Sequence, residues 1–317
     1  MIRYLVSKLL QLVITLVGVA TLIFLLLRVL PGDVVEAKFR AEGGAVSEDV
    51  LDRERARLGL DRPLPVQFAD WMSGLARLEL GRSMWTDRPV AEEIGGRLSV
   101  TLQVAVMATL IGLVLAVPLG VSAALTHGRW LDQLIRVLTV TGLSVPPFWL
   151  GMVLLLCLLL AFGWLPSIES VSLWKDPAGN LGQLIWPALV VGTRLSAMVA
   201  RMLRSSLLEV LHEDYIRTAR SKGVRERVVV VRHALGNALL PAVTVVGLEF
   251  AFLLGGLVVT EQVFNLNGIG RLLIQAVSHN DYTLIQGLVM LFSLFFIAVN
   301  FVTDLLYAAL DPRVRLR

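Results

Sequence analysis

The chain has 317 residues, 56% of them apolar and 17% charged, with a formal charge of +4. A soluble domain carries about a quarter charged residues, so this composition argues against a water-soluble enzyme. The bases do not cover one face, as a nucleic-acid binder requires, but gather between long apolar runs, which is the pattern of a membrane protein.

A helix crosses a bilayer with about 20 apolar residues, and six runs qualify. The first, 9–30, follows Arg3 and Lys8. It is longer than a signal-peptide core and leads into Arg28-Val29-Leu30-Pro31-Gly32-Asp33 with no small-residue cleavage site, so 1–30 is expected to hold an uncleaved first span. Residues 31–97 read as a small helical extracytoplasmic region. Within it, 48–58 has helical composition with Val50, Leu51 and Leu58 on one side and Gly59 as its stop. The stretch 66–78 puts Phe68, Trp71, Met72 and Leu75 at helical spacing. The region is either a cap over the outer mouth or a solvated loop.

Residues 98–310 carry five further spans, at 98–125, 134–162, 181–203, 239–263 and 284–310. Pro118 and the pair Pro146-Pro147 are expected kink points, because proline lacks a backbone donor and clashes with the preceding turn. The single cysteine, Cys157, lies in the third span, cannot form an internal disulfide and reads as a small packing residue. Between the fourth and fifth spans, 205–222 is amphipathic. Leu208, Leu211, Tyr215 and Ala219 share a face, while Glu209, Glu213, Arg217 and Arg220 lie off it. Gly223 ends this helix, and the next apolar run begins near Leu235. The spacing therefore predicts an elbow over 205–234. It either fits a groove on a cytosolic partner or lies on anionic lipid.

The positive-inside rule orients these segments. Residues 201–232 hold eight Lys/Arg against four Asp/Glu. Arg3 and Lys8, the turn with His127, Arg129 and Asp132 (Arg136 just beyond), and the tail 311–317 with Arg313, Arg315 and Arg317 fall on the same side if there are six spans. The expected fold is thus an all-α polytopic membrane protein with six transmembrane helices and both termini cytosolic. Away from the span ends, Arg194 lies inside the fourth span and Glu249 near the middle of the fifth, and a charge in hydrocarbon needs a reason. Glu249 either faces a translocation path, near Arg194 or a charged solute terminus, or serves structure as an ion pair or a protonated acid. Gly255-Gly256 suits close helix packing, and Asp304 with Tyr307 suits anchoring of the sixth span.

No chemistry of its own is expected. There is no G-x-x-x-x-G-K-[ST] phosphate loop, no H-E-x-x-H pair and no Gly-x-Ser-x-Gly, and His127, His212, His233 and His279 are scattered. No cofactor or metal is anticipated.

The elbow sequence Asp214-Tyr215-Ile216-Arg217-Thr218-Ala219-Arg220-Ser221-Lys222-Gly223, followed by Arg232-His233-Ala234-Leu235-Gly236-Asn237-Ala238-Leu239-Leu240-Pro241, resembles the coupling loop of binding-protein-dependent ABC importer permeases. More narrowly, it is similar to the dipeptide/oligopeptide/nickel branch. Ala219 and Gly223 match the general Glu-Ala-Ala, three residues, Gly pattern, while Arg217 and Thr218 stand where Glu and the first Ala would be. Leu58-Gly59-Leu60-Asp61-Arg62-Pro63-Leu64, Ser144-Val145-Pro146-Pro147-Phe148-Trp149, Glu261-Gln262-Val263-Phe264 and Leu310-Asp311-Pro312-Arg313 extend the likeness along the chain.

The resemblance implies one half of a heterodimeric channel in a bacterial or archaeal plasma membrane. A second homologous permease would complete the channel, two cytosolic ATPase subunits would drive it, and an extracytoplasmic solute-binding protein would deliver peptides, nickel chelates, opines or sugars. ATP hydrolysis would belong to the separate subunits. Asp214, Tyr215, Arg217, Ala219, Lys222 and Gly223 would form the ATPase-coupling contact, with Tyr215 as apolar anchor and Arg217 and Lys222 as rim, in part against lipid headgroups. A stand-alone carrier or channel is the competing reading, although no repeat relates the two halves.

Overall fold

The computed structural model describes residues 2–29, 34–41, 47–167, 171 and 173–310. Pro31-Gly32-Asp33, the tail 311–317 with its three arginines, and the side chain of Arg3 lie outside the described residues. The helices in chain order are α1 (Ile2–Val29), α2 (Val34–Ala41), α3 (Glu48–Arg57), α4 (Leu64–Ala76) and α5 (Val90–Leu125). Then follow α6 (Trp130–Ser144), α7 (Pro147–Phe162), α8 (Pro177–Leu211), α9 (Asp214–Ser221) and α10 (Glu226–Val228). A π-turn (Val229–Ala234) leads to α11 (Leu235–Ala238), α12 (Leu240–Gly256), α13 (Val258–Val263), α14 (Ile269–Ser278) and α15 (Tyr282–Leu310). Among the described residues no strand forms beyond one antiparallel bridge between Arg82 and Pro89.

Among the described residues, four helices are long and apolar enough to cross a membrane unbroken: Lys8–Arg28, Val90–Leu125, Pro177–Leu211 and Tyr282–Ala309. Two bent pairs, Trp130–Ser144 with Pro147–Phe162 and Glu226–Ala238 with Leu240–Gly255, raise the count to six if each pair is one span. The expectation of one kinked helix over 134–162 is thereby corrected: α6 and α7 are separate helices meeting at 99°. The cause is local. Each of Val145 and Pro146 precedes a proline, which pushes it out of the α region, and both are extended, with ψ of 122° and 134°. The expected fifth span also breaks, at Leu257, between α12 and α13.

The chain divides into two compact units, Met1–Thr101 with Asn267–Ile297, and Leu102–Leu266 with Ala298–Arg317. In the first, Leu27, Val90, Ile94, Ile269, Leu272, Ile285 and Leu288 form a buried core. Asp281 is buried beneath it and accepts from Ser83 Oγ and from the amides of Met84 (3.1 Å) and Leu284 (3.1 Å). One carboxylate thus caps the start of α15 and fixes the loop after α4, while Trp85 stacks on His279 at 4.0 Å. Phe68 and Trp71 of α4 pack on Phe24 of α1, realising the helical spacing seen in the sequence. The α3 helix ends where Gly59 takes φ +70°, a conformation glycine adopts without penalty.

In the second unit α5 and α8 approach at backbone distance. A Cβ on Gly192 would stand 2.8 Å from the Ala108 carbonyl oxygen, and one on Gly120 would stand 2.9 Å from that of Ala200. Small residues at such crossings gain dispersion contact where lipid offers no hydrophobic drive. Ala116, Leu195, Val199, Ala200 and Ala242 fill the space around them. Thr244 of α12 donates to Tyr307 of α15 at 2.6 Å, so the tyrosine does anchor its helix, but against a neighbour.

Gly192→Val should therefore disrupt folding, because the opposing atom is main chain. The expected cost is about 1–3 kcal/mol, read as a lower midpoint of thermal unfolding in detergent. Gly182→Ala, on the same helix with nothing within 4 Å of its Cβ position, should be neutral or slightly stabilising.

Candidate functional site in the second unit

The elbow is built around Ile216, which is wholly buried. It packs with Leu203 and Leu207 of α8, Val229 and Ala234 of the π-turn, and Ala124 and Ala238. Leu208, Leu211 and Ala219, assigned to one face from spacing, border the same cluster. The single helix expected over 205–222 is corrected to two: α8 ends at Leu211, and Glu213 is extended (φ −66°, ψ 148°) before α9 begins at Asp214. This break re-aims the helix, so that Ile216 turns inward while Tyr215 stays 41% exposed. The Tyr215 hydroxyl accepts from Asn237 Nδ2 at 2.8 Å and lies 3.4 Å from the His233 carbonyl, tying α9 to the far arm of the elbow. Gly223, at φ +74°, makes the turn out of α9.

A second clasp closes the arms. Arg220 makes two hydrogen bonds to Glu226, at 2.6 and 3.1 Å. That carboxylate raises the Arg220 guanidinium above its ordinary range, chiefly through the hydrogen bond. Asp214 and Arg217 point outward, 3.5 Å apart, with side chains 96% and 70% exposed. Lys222 and Thr218 are exposed beside them. The elbow thus offers a charged outer face on an apolar keel.

At its base stands a pair the sequence did not disclose. Arg204 of α8 grips Asp132 of α6 bidentately, at 2.7 and 2.8 Å, and the Gly128 amide donates to the same carboxylate at 3.1 Å. The partners lie 72 positions apart, and the only signal was a lone acid in a basic turn.

Arg194 and Glu249 are brought together: Arg194 Nη1 lies 3.7 Å from Glu249 Oε2. The arginine side chain is half exposed and the glutamate nearly buried. Nearby, Val199, Ala242, Val246, Phe250, Val299 and Leu306 line a cavity of ≈ 440 Å³ with no charged residue in its wall.

The profile of the binding-protein-dependent transport system inner membrane component family matches residues 116–316, and its N-terminal companion matches residues 1–105. The chain belongs to this family. It is the membrane-spanning permease subunit of an ABC importer. The glutathione transport system permease protein GsiC of Salmonella typhimurium (strain LT2) is 43% identical over 315 residues, covering 99% of each chain. GsiC of Escherichia coli (strain K12) is 42% identical over the same span. The permease also shares its fold with chains of the inward-facing MetNI methionine ABC transporter (TM-score 0.54, 20% identity, 67% of this chain and 93% of that one). It shares it as well with an amino acid ABC transporter crystallised with histidines (TM-score 0.51, 16% identity, 69% and 94%).

Replacing Ile216 with Ala should loosen the elbow, at about 2–5 kcal/mol for a buried aliphatic truncation. Hydrogen exchange of the α9 amides should quicken. Arg220→Ala, losing a solvent-screened pair, should cost no more than about 1 kcal/mol.

Proposed function

We propose that this permease is half of a peptide-importing channel in a bacterial inner membrane, driven through the elbow by a separate ATPase. In this reading the chain crosses six times, each bent pair counting once, with both termini in the cytosol. Residues 1–30 supply the first span, 31–97 an extracytoplasmic region, 98–310 the core and 311–317 a cytosolic tail. A second homologous permease completes the channel. Two ATPase subunits sit beneath, where all hydrolysis takes place, and an extracytoplasmic binding protein delivers the solute.

The observation that carries the reading is the build of α9. Its inner side is held by Ile216, Tyr215 and Arg220, while Asp214, Arg217 and Lys222 face outward. A helix braced from within and charged without transmits a push; a helix lying on lipid would put its apolar side outward. Ala219 belongs to the brace and Gly223 sets the angle. When ATP closes the ATPase pair, α9 moves with its groove and α8 carries the displacement into the membrane as rigid-body motion.

For the solute, the GsiC relatives support glutathione or a similar small peptide, which carries both an ammonium and carboxylates. The Arg194–Glu249 pair presents both signs within one ion-pair distance and would exchange partners with such a solute along the path.

Arg217→Glu, a charge reversal on the outward face of α9, should uncouple the assembly: transport falls about tenfold, as when a like-charge contact replaces a complementary one across an interface, while the isolated ATPase keeps its activity. Full transport in this variant, or labelling of a Lys222→Cys thiol from the outside, would overturn the elbow reading. Glu249→Gln, expressed normally, should lower peptide uptake. Unchanged uptake would return the pair to a structural role.

A further inference from the structure

A second cavity, of ≈ 460 Å³, opens between α6 and α8 in the same unit. Arg136, Arg201 and Arg204 line its cationic part with His127 beside them, and Ala123, Ile135, Thr139, Val140 and Ala200 line its apolar part. The charges do not cancel. Arg204 is bound by Asp132, whose oxygens are also met by the Gly128 amide, so that carboxylate is fully used. Arg136 and Arg201 make no ion pair with any described residue, and both are exposed. Two unneutralised guanidiniums therefore converge on one hollow whose nearest acid is already spent.

The surroundings specify what could fill it. Arg201 and Arg204 sit about 10–15 Å along α8 from its elbow end at 1.5 Å of rise per residue, which is headgroup depth for a helix crossing a bilayer. On α6, Val137 (62%) and Leu138 (55%) are exposed, and Trp130 (73%) stands at the helix start, where interfacial tryptophans mark the headgroup level. A free inorganic anion would use the guanidiniums but leave the apolar wall bare. A molecule with an anionic head and an acyl chain satisfies both.

We infer that this cavity holds the phosphate of an anionic phospholipid from the leaflet on the elbow's side. Arg136 and Arg201 grip the phosphate oxygens, His127 and Arg204 border it, and one acyl chain lies along Val140 and Ala200. Because Asp132 ties the same Arg204 to the base of the elbow, the lipid would brace the α6–α8 contact on which α9 is carried. The proposal needs the chain only to lie in a membrane, so it stands or falls apart from the solute and from the ATPase contact.

The test uses the intact assembly in nanodiscs of phosphatidylcholine and phosphatidylglycerol in equal amounts, with retained lipid read by native mass spectrometry. The unaltered permease should keep phosphatidylglycerol in preference to phosphatidylcholine, and millimolar inorganic phosphate should not displace it. R136Q/R201Q should weaken retention about thirtyfold, each surface cation contributing a little over about fivefold. R136K/R201K, which keeps the charges, should hold the lipid. No preference in the unaltered protein, equal retention by the Gln variant, or displacement by inorganic phosphate alone would each overturn the inference. The first and last are measured on the unaltered protein, so the test does not depend on a variant folding.

Discussion

A backbone in hydrocarbon has no water to bond, so it must close its hydrogen bonds within each helix. That constraint governs α8. Past Pro187, which removes one backbone donor, the helix runs on to Leu211 without another proline, and a helix that closes its own bonds is a stiff rod. It holds Arg194 at one level, Arg204 at the next and the elbow at its end. The glycine contacts with α5 keep the rod close to its neighbour without bulky side chains between them.

The same constraint explains where the chain does break. Val145 and Pro146 lose the helix because prolines follow them, and α9 departs from α8 at Glu213, where exposed polar residues keep company with solvent. Each break re-aims a segment at little cost, since its freed backbone groups find partners. The Glu213 and His212 amides reach the Val210 and Glu209 carbonyls, and Val145 reaches Thr141.

Much of this was legible in the residues. Hydropathy located the long helices α1, α5, α8 and α15, Pro146-Pro147 marked the sharpest bend, and Gly223 marked the turn of the elbow. The short helices α3 and α4 followed from apolar spacing and Gly59. What stayed hidden had a common cause. The break at His212-Glu213 carries neither proline nor glycine, so periodicity ran straight through it and put Tyr215, instead of Ile216, on the apolar side. A phase change of one residue decides which side chain is buried, and no local motif announces it. The Asp132–Arg204 grip joins residues 72 apart, a distance over which sequence pattern is silent. Arg194 and Glu249 were easier, because a charge within an apolar run is conspicuous and two of opposite sign invite pairing.

The π-turn Val229–Ala234 has a consequence of its own. It widens the helix by one residue in the turn, and Val229 and Ala234 pack against the elbow's keel together. A wide turn is also slack in the chain: it stores one surplus residue that an ordinary α-turn would not hold. Losing a residue there would tighten the coil to standard pitch and swing everything upstream through about 100°, the angle between successive residues on a 3.6-fold helix. The outward charges of α9 would then point elsewhere around the axis with their chemistry intact. The direction in which α9 presents its charges is thus set by a count of residues in one turn, independently of which residues it carries.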